Sequence, residues 1–358
     1  MKLAAGLGVG GGRKIGGKKD FHTGVQTIVD MEKAGLDVVT TGEAWSFDSF
    51  TKLAYVAART ERVQLATSIV NVFSRSATAI AVTAASLDEM SDGRFILGLG
   101  SSGAQVVEGF WGVPFSKPLS RIEDVINVCR IVWKREKVVY SGKSMTIPVT
   151  KEQGGIGLGK PLNVMDYPLR PDIPIWWAAL TPKAVEKMAE VADGWIPIHL
   201  IPEKVQEVWG EPLKAGFAKR GPEERFPFEI NCGVNVAIGE NLDVEALRDR
   251  YRPHLALYVG GMGARGANFY NDMAVAFGFA DEAKAIQDLY LDGKKDEAAK
   301  LVPTEWLDKA QLIGPKSYVQ ERLAAYKEAG INVLSISPLA EQDPVQTIEQ
   351  MRELVDDL

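Results

Sequence analysis

Cysteine and histidine are nearly missing from this chain of 358 residues: there are two cysteines, Cys129 and Cys232, and three histidines, His22, His199 and His254. Two cysteines exclude a disulfide framework, and histidines so far apart give no metal-ligand spacing, so no metal site is expected. Long apolar runs are missing too. No stretch approaches the ~18 residues of a membrane span, and the opening MKLAAGLGVGGG has neither the apolar segment nor the cleavage site of a secretory signal. The expectation is a cytoplasmic protein with no membrane partner. Nor is there an excess of basic charge. A formal charge of −6 argues against a nucleic-acid partner, because those are bound through clustered Lys and Arg.

What the chain does have is a hydrophobic content of 46%, enough for one large core or two ordinary ones. Its arrangement is repetitive. Continuous apolar stretches at 2–9, 36–43, 62–71, 95–100, 173–180, 194–198, 228–238 and 331–337 read as strands, each followed somewhere by a helical pattern. Continuous rather than alternating hydrophobicity is what a parallel sheet covered on both faces requires. Eight such units predict an α/β fold, a closed (β/α)8 TIM barrel, in one domain spanning residues 1–358. Two stretches interrupt the repeat, at about 140–172 and 250–313, and read as insertions rather than linkers. In the helix after the fourth strand, Ser120 and Glu123 have the spacing of a capping box. There Ile122, Val125, Ile126, Cys129 and Trp133 mark the buried face.

GLGSSG, at 98–103, matches the G-x-G-x-x-G of a dinucleotide-binding turn. The context does not: it follows the fourth strand, and the acidic residues some twenty positions on, Glu123 and Asp124, fall inside a helix. In a barrel the carboxyl end of every strand opens on the active face, so Gly100, Ser101, Ser102 and Gly103 are expected to line a site there. Thr181 followed by Pro182 reads as a helix start, whose free N–H groups attract phosphate.

The segments GEAWSFDSFTKLAYVAART, LDEMSDGRFILGLGSSGAQVVEGFWGVPFSKPLSR, DIPIWWAALTPKAVEKMAEVADGW and RPHLALYVGGMGARGANFY together resemble the luciferase-like monooxygenase superfamily, and within it the coenzyme F420-dependent oxidoreductase branch. The resemblance spans nearly the whole chain. It implies a deazaflavin cofactor, F420, in the barrel mouth and hydride transfer to or from a small organic substrate. It also implies a bulge with a non-proline cis peptide after the third strand, falling on Ser68 and Ile69. It places cofactor contacts on Gly100 to Gly103 and a phosphate-binding turn on Ala178, Ala179, Leu180 and Thr181. Many relatives carry glycine where Thr181 stands. By analogy with the family, a homodimer is the expected assembly.

Glu43 ends the second strand, where a carboxylate either shuttles a proton or forms an ion pair or cap for the next helix. The Asp-His pair of deazaflavin enzymes acting on alcohols or sugars is not present here. Trp45 is a candidate wall of the substrate pocket, and His199, at the end of the sixth strand, a candidate substrate contact. Trp176 and Trp177 are adjacent in a strand, so at most one faces the site. Glu108 is expected to hold the loop after the glycine turn. Arg13, Lys14, Lys18 and Lys19, with Arg265, are candidates for attracting the acidic tail of F420. Two other readings stand beside the F420 enzyme: an FMN-dependent monooxygenase using molecular oxygen, and a barrel that binds flavin without turnover.

Overall fold

The eight apolar stretches become eight parallel strands: β1 Lys2–Gly6, β2 Val38–Thr41, β3 Gln64–Thr67, β4 Phe95–Gly100, β5 Ile175–Trp177, β6 Gly194–Trp195, β7 Glu229–Ile238 and β8 Val333–Pro338. The computed structural model describes residues 1–7, 21–221, 226–339 and 342–358. Each strand pairs in parallel with the next, and pairing of β8 with β1 closes the ring into a (β/α)8 barrel. The loop carrying Arg13, Lys14, Lys18 and Lys19 lies outside the described residues.

Both faces of each strand are covered, which is why the hydrophobicity does not alternate. Ala4, Val38, Ala66, Ile96, Trp176 and Val333 form an inner cluster with Ile196 against it, while Leu3, Val39, Leu65, Leu97, Trp177 and Leu334 join the larger cluster beneath the helices. The bore is therefore filled by aliphatic side chains, from Ala4 and Ala66 to Ile96 and Ile196, and by one large indole, Trp176, from β5. The adjacent Trp177 belongs to the outer layer, as strand alternation requires. Gly194 makes room for the indole: a Cβ there would lie 2.3 Å from Trp176 Cδ1.

Helix starts are set by local chemistry. Ser76 caps Ala77–Met90 and Asp343 caps Pro344–Asp356 through their side chains. The capping box expected at Ser120 and Glu123 does not form. Pro118 starts that helix, Pro118–Trp133, two residues earlier, with its φ already suited to the first turn, so Ser120 lies inside it. The buried face of that helix does carry Ile122, Val125, Ile126, Cys129 and Trp133.

Between β4 and β5 the chain adds a small hairpin, Tyr140–Ser141 with Thr146–Ile147. This segment is tied to the barrel by Arg170, whose guanidinium donates to both oxygens of the buried Asp88, at 2.9 and 2.7 Å. Between β7 and β8 lie further helices from Val244 to Ala310, and a strand, Leu312–Gly314, that extends the carboxyl half of β7. No helix among the described residues is long and apolar enough to cross a membrane.

Candidate active site

The carboxyl ends of β1, β2, β3 and β8 surround a cavity of about 340 Å³. It is lined by Ala5 and Gly6, Thr40, Thr41 and Gly42, Ser68, and Ile336, Ser337 and Pro338, with Met31 contributed by the helix Phe21–Lys33. Of the expected site residues only Ser68 lines this cavity. Thr41 is 2% exposed and its Oγ1 has no hydrogen-bond partner among the described residues, so a buried polar atom is left over beside the space. Composition and spacing gave no sign of Thr41 or Ser337; their position at strand ends is the signal that marks them.

The edge of the cavity is shaped by a bulge. Ala66 of β3 is paired with Ile96 of β4, but the pairing resumes at Val70 with Leu99: four steps along one chain against three along the other. One extra residue has been inserted, and the strand bends there. Thr67 covers the break, its Oγ1 accepting from Gly98 N–H at 2.7 Å and donating to Gly98 O at 2.9 Å. The next peptide, Ser68–Ile69, is cis. Gly42 at the end of β2 permits the approach, since a Cβ there would lie 2.3 Å from Ser68 O.

The structure also brings together other residues picked out in the sequence. A Cβ on Gly100 would lie 2.8 Å from Ile69 Cδ1 and 3.6 Å from Ala178 Cβ, so the bulge, the glycine turn and the turn after β5 meet. Ser102 has a left-handed φ of 57°, and Gly103 is the N-cap of the short helix Ala104–Gly109. Glu108 accepts the Phe115 N–H at 3.0 Å and so holds the following loop. Thr181 caps Pro182–Val191, accepting from Ala184 N–H at 3.4 Å. Two indoles brace that turn: Trp195 Nε1 donates to Ala179 O at 2.8 Å and Trp209 Nε1 to Leu180 O at 2.7 Å. With these carbonyls held by tryptophans, the cap orients the helix start.

Glu43 is 1% exposed, and its carboxylate is fully engaged. Arg75 Nη1 donates to Oε2 at 2.8 Å and Nη2 to Oε1 at 2.7 Å; the Ser49 hydroxyl and backbone N–H approach Oε1 at 3.2 and 3.3 Å. The same guanidinium reaches Asp48, which caps the helix Ser49–Ala57. Burial disfavours the Arg75 charge, but the hydrogen bond and field of Glu43, with those of Asp48, outweigh it and raise the arginine above its ordinary value. This is the ion-pair and cap arrangement, the second of the two roles open to Glu43. The Glu43 N–H donates to Ile69 O at 3.2 Å, so the same residue touches the bulge through its backbone.

Trp45 and Phe47 stand in the loop after β2, 57% and 82% exposed. Arg265 pairs with Asp288, at 2.9 Å. His199 is elsewhere in the mouth, in the loop four residues beyond the end of β6 and not along the cavity. It is 5% exposed, its Nδ1 lies 2.9 Å from the Tyr251 hydroxyl, and its carbonyl accepts from Trp306 Nε1 at 2.9 Å. Burial, aided by the nearby His254, pushes its pKa down to about 3. In the unfolded chain it returns to about 6.5. The unfolded state thus binds the extra proton between these values, so this group leaves stability unchanged above about pH 6.5 and lowers it as pH falls toward 3. A His199→Asn variant is therefore expected to lose less stability than the parent between about pH 7 and pH 4, read from urea midpoints. Equal losses would show that His199 is not held neutral.

Residues 3–332 match the family model for the luciferase-like monooxygenase. A putative coenzyme F420-dependent oxidoreductase of Mycobacterium tuberculosis is 40% identical, over 92% of both chains. Among solved structures, the coenzyme F420-dependent tetrahydromethanopterin reductase of Methanopyrus kandleri superposes with a TM-score of 0.71 at 18% identity, covering 91% of this chain and 92% of that one. The FMN-bound oxygenating component of 3,6-diketocamphane monooxygenase from Pseudomonas putida does so at 0.64 and 15%, covering 99% and 97%. At these identities the structural likeness speaks for the fold alone.

Proposed function

The chain belongs to the luciferase-like monooxygenase family, and we propose that within it this protein is a coenzyme F420-dependent oxidoreductase acting on a small organic substrate. One observation carries the reading: the bulge at Ser68 and Ile69, the glycine turn at Gly100 and the turn at Ala178 meet at the barrel mouth, next to a helix start capped by Thr181. The name of the relative at 40% identity supports the choice of F420 over FMN. The residues present suit such a cofactor. Thr41 Oγ1 is a buried polar atom without a partner among the described residues, and the capped start of Pro182–Val191 suits a phosphate. Ser68 and Ile69 would back the ring, Gly100 to Gly103 would flank its edge, and Ala178 to Thr181 would hold the phosphate. When bound, a deazaflavin supplies hydride transfer.

The side chains around it orient and exclude rather than react. Glu43, held by Arg75, fixes the strand end from which its N–H reaches the bulge, and we assign it to positioning in place of proton transfer. The filled bore keeps water from entering from below. The reading extends to one domain, a homodimer and a cytoplasmic setting.

Separate titrations of the purified protein with F420 and with FMN, followed by tryptophan quenching and chromophore fluorescence, test the proposal. F420 is expected to bind at least about tenfold more tightly, a difference of about 1.4 kcal/mol. The reverse preference would move the case to an oxygen-using FMN monooxygenase, and binding without hydride exchange to a non-catalytic barrel.

A further inference from the structure

We infer that a second cavity, built by the segment between β7 and β8, binds an uncharged small molecule carrying a carboxamide or lactam group on a flat apolar body. The cavity measures about 330 Å³. Its lining comes from Val244 and Arg248 of the helix Val244–Asp249, Leu307 and Asp308 of the helix Thr304–Ala310, and, from Gln311 onward, Ile313 and Tyr318. None of these residues lines the cavity at the barrel mouth. The two lie close together all the same: Val236 of β7 pairs with Leu312 on one side and, on the other, with Pro338, which lines the mouth cavity. One strand separates them.

Gln311 is what sets this cavity apart from a packing gap. It is 2% exposed, and neither its Oε1 nor its Nε2 has a hydrogen-bond partner among the described residues. No other buried side chain among them has two polar atoms left over. A carboxamide taken out of water with nothing in return loses stability twice, once at the donor and once at the acceptor. A ligand that pairs with both atoms recovers that loss. A mostly apolar hollow with one polar group set in its wall is also the usual form of a small-molecule site.

The rest of the wall selects the ligand. Arg248 and Asp308, its ionised side chains, are bonded to each other, Nη1 to Oδ1 at 3.0 Å, and Arg248 Nε donates to Asp249 at 3.1 Å. With these charges already paired, the lining has nothing to balance an ion. The Tyr318 hydroxyl donates to Asp308 O at 2.8 Å, and a Cβ on Gly314 would lie 3.0 Å from Tyr318 Cδ1, so the ring is held as a flat wall. Together with Val244, Leu307 and Ile313 it suits a planar apolar body. Gln311 then requires a donor and an acceptor side by side: a ligand carbonyl accepts from Nε2 while the neighbouring N–H donates to Oε1. A ketone or a carboxylate supplies acceptors alone and leaves Oε1 unpaired. With Arg248, Asp308 and the Tyr318 hydroxyl all engaged, the site binds and does not react.

Benzamide and acetophenone are matched probes, the same ring with and without the N–H donor. Ligand-observed NMR titrations of the full chain are expected to show saturable benzamide binding, with acetophenone at least about tenfold weaker. Gln311→Leu keeps the bulk of the side chain and removes both polar atoms. It is expected to bring benzamide down to the level of acetophenone and to raise the melting temperature, because the two unpaired atoms are gone. Val244→Phe, at a partly exposed position, fills the space and is expected to weaken benzamide at least about tenfold; it carries the test should Gln311→Leu fail to fold by circular dichroism. No saturable benzamide binding by the parent, or equal affinity in the parent and the folded variants, overturns the inference. Each sample is also titrated with F420. Variants that lose benzamide and keep F420 support a separate site, and joint loss of the two overturns it. A parent that binds benzamide through Gln311 but not F420 sinks the cofactor reading and leaves this site standing.

Discussion

Replacing Arg75 with methionine is expected to cost about 3–5 kcal/mol of folding stability, because it strips the partner from a buried carboxylate. Glu43 is 1% exposed and receives two guanidinium hydrogen bonds, at 2.7 and 2.8 Å. With those gone, Ser49 alone among the described residues remains to stabilise its charge. The cost arises from the orphaned charge and not from the net worth of the pair, so the double variant Glu43→Gln with Arg75→Met is expected to recover most of it. Urea denaturation of the two single variants and the double measures the coupling. Additive losses would mean that the pair is not a unit. The pH dependence of turnover bears on the same residue: a positioning role predicts that Glu43→Gln lowers F420 affinity and keeps the shape of the profile, whereas a proton shuttle predicts loss of one limb.

Gly42→Ala is expected to weaken F420 binding about 100-fold while costing about 1–3 kcal/mol of stability. The added Cβ would sit 2.3 Å from Ser68 O, so the bulge has to retreat by about 1 Å to reach ordinary contact. A shift of that size at a binding surface is enough to cost two orders of magnitude. Gly109→Ala is the control, since a Cβ there meets nothing within 4 Å and alanine is the better helix former. Fluorescence titration and thermal melts of both variants decide the matter. Equal F420 affinity for Gly42→Ala and the parent would remove the bulge from the cofactor site.

The barrel was legible because each strand has both faces buried. Val38 and Val39, or Trp176 and Trp177, point to opposite layers, and both layers are apolar. The bulge was legible only through resemblance, for nothing in the letters TSIV separates a strand with an extra residue from one without. The Glu43–Arg75 pair was half visible: the carboxylate at a strand end drew attention, but its partner stands 32 residues away with no periodic signal to link them. Pro118 overrode Ser120 at a helix start, a competition between two good local signals in which the ring's fixed φ prevailed. The rings packed on His199 were half visible: 251, 254 and 258 are three and four apart, as on one helix face, while Tyr270 comes from a separate helix capped by Asn268.

The indole of Trp176 plugs the bore, and that gives the barrel a single open end. A molecule bound at the mouth exchanges with the bulk through that end alone.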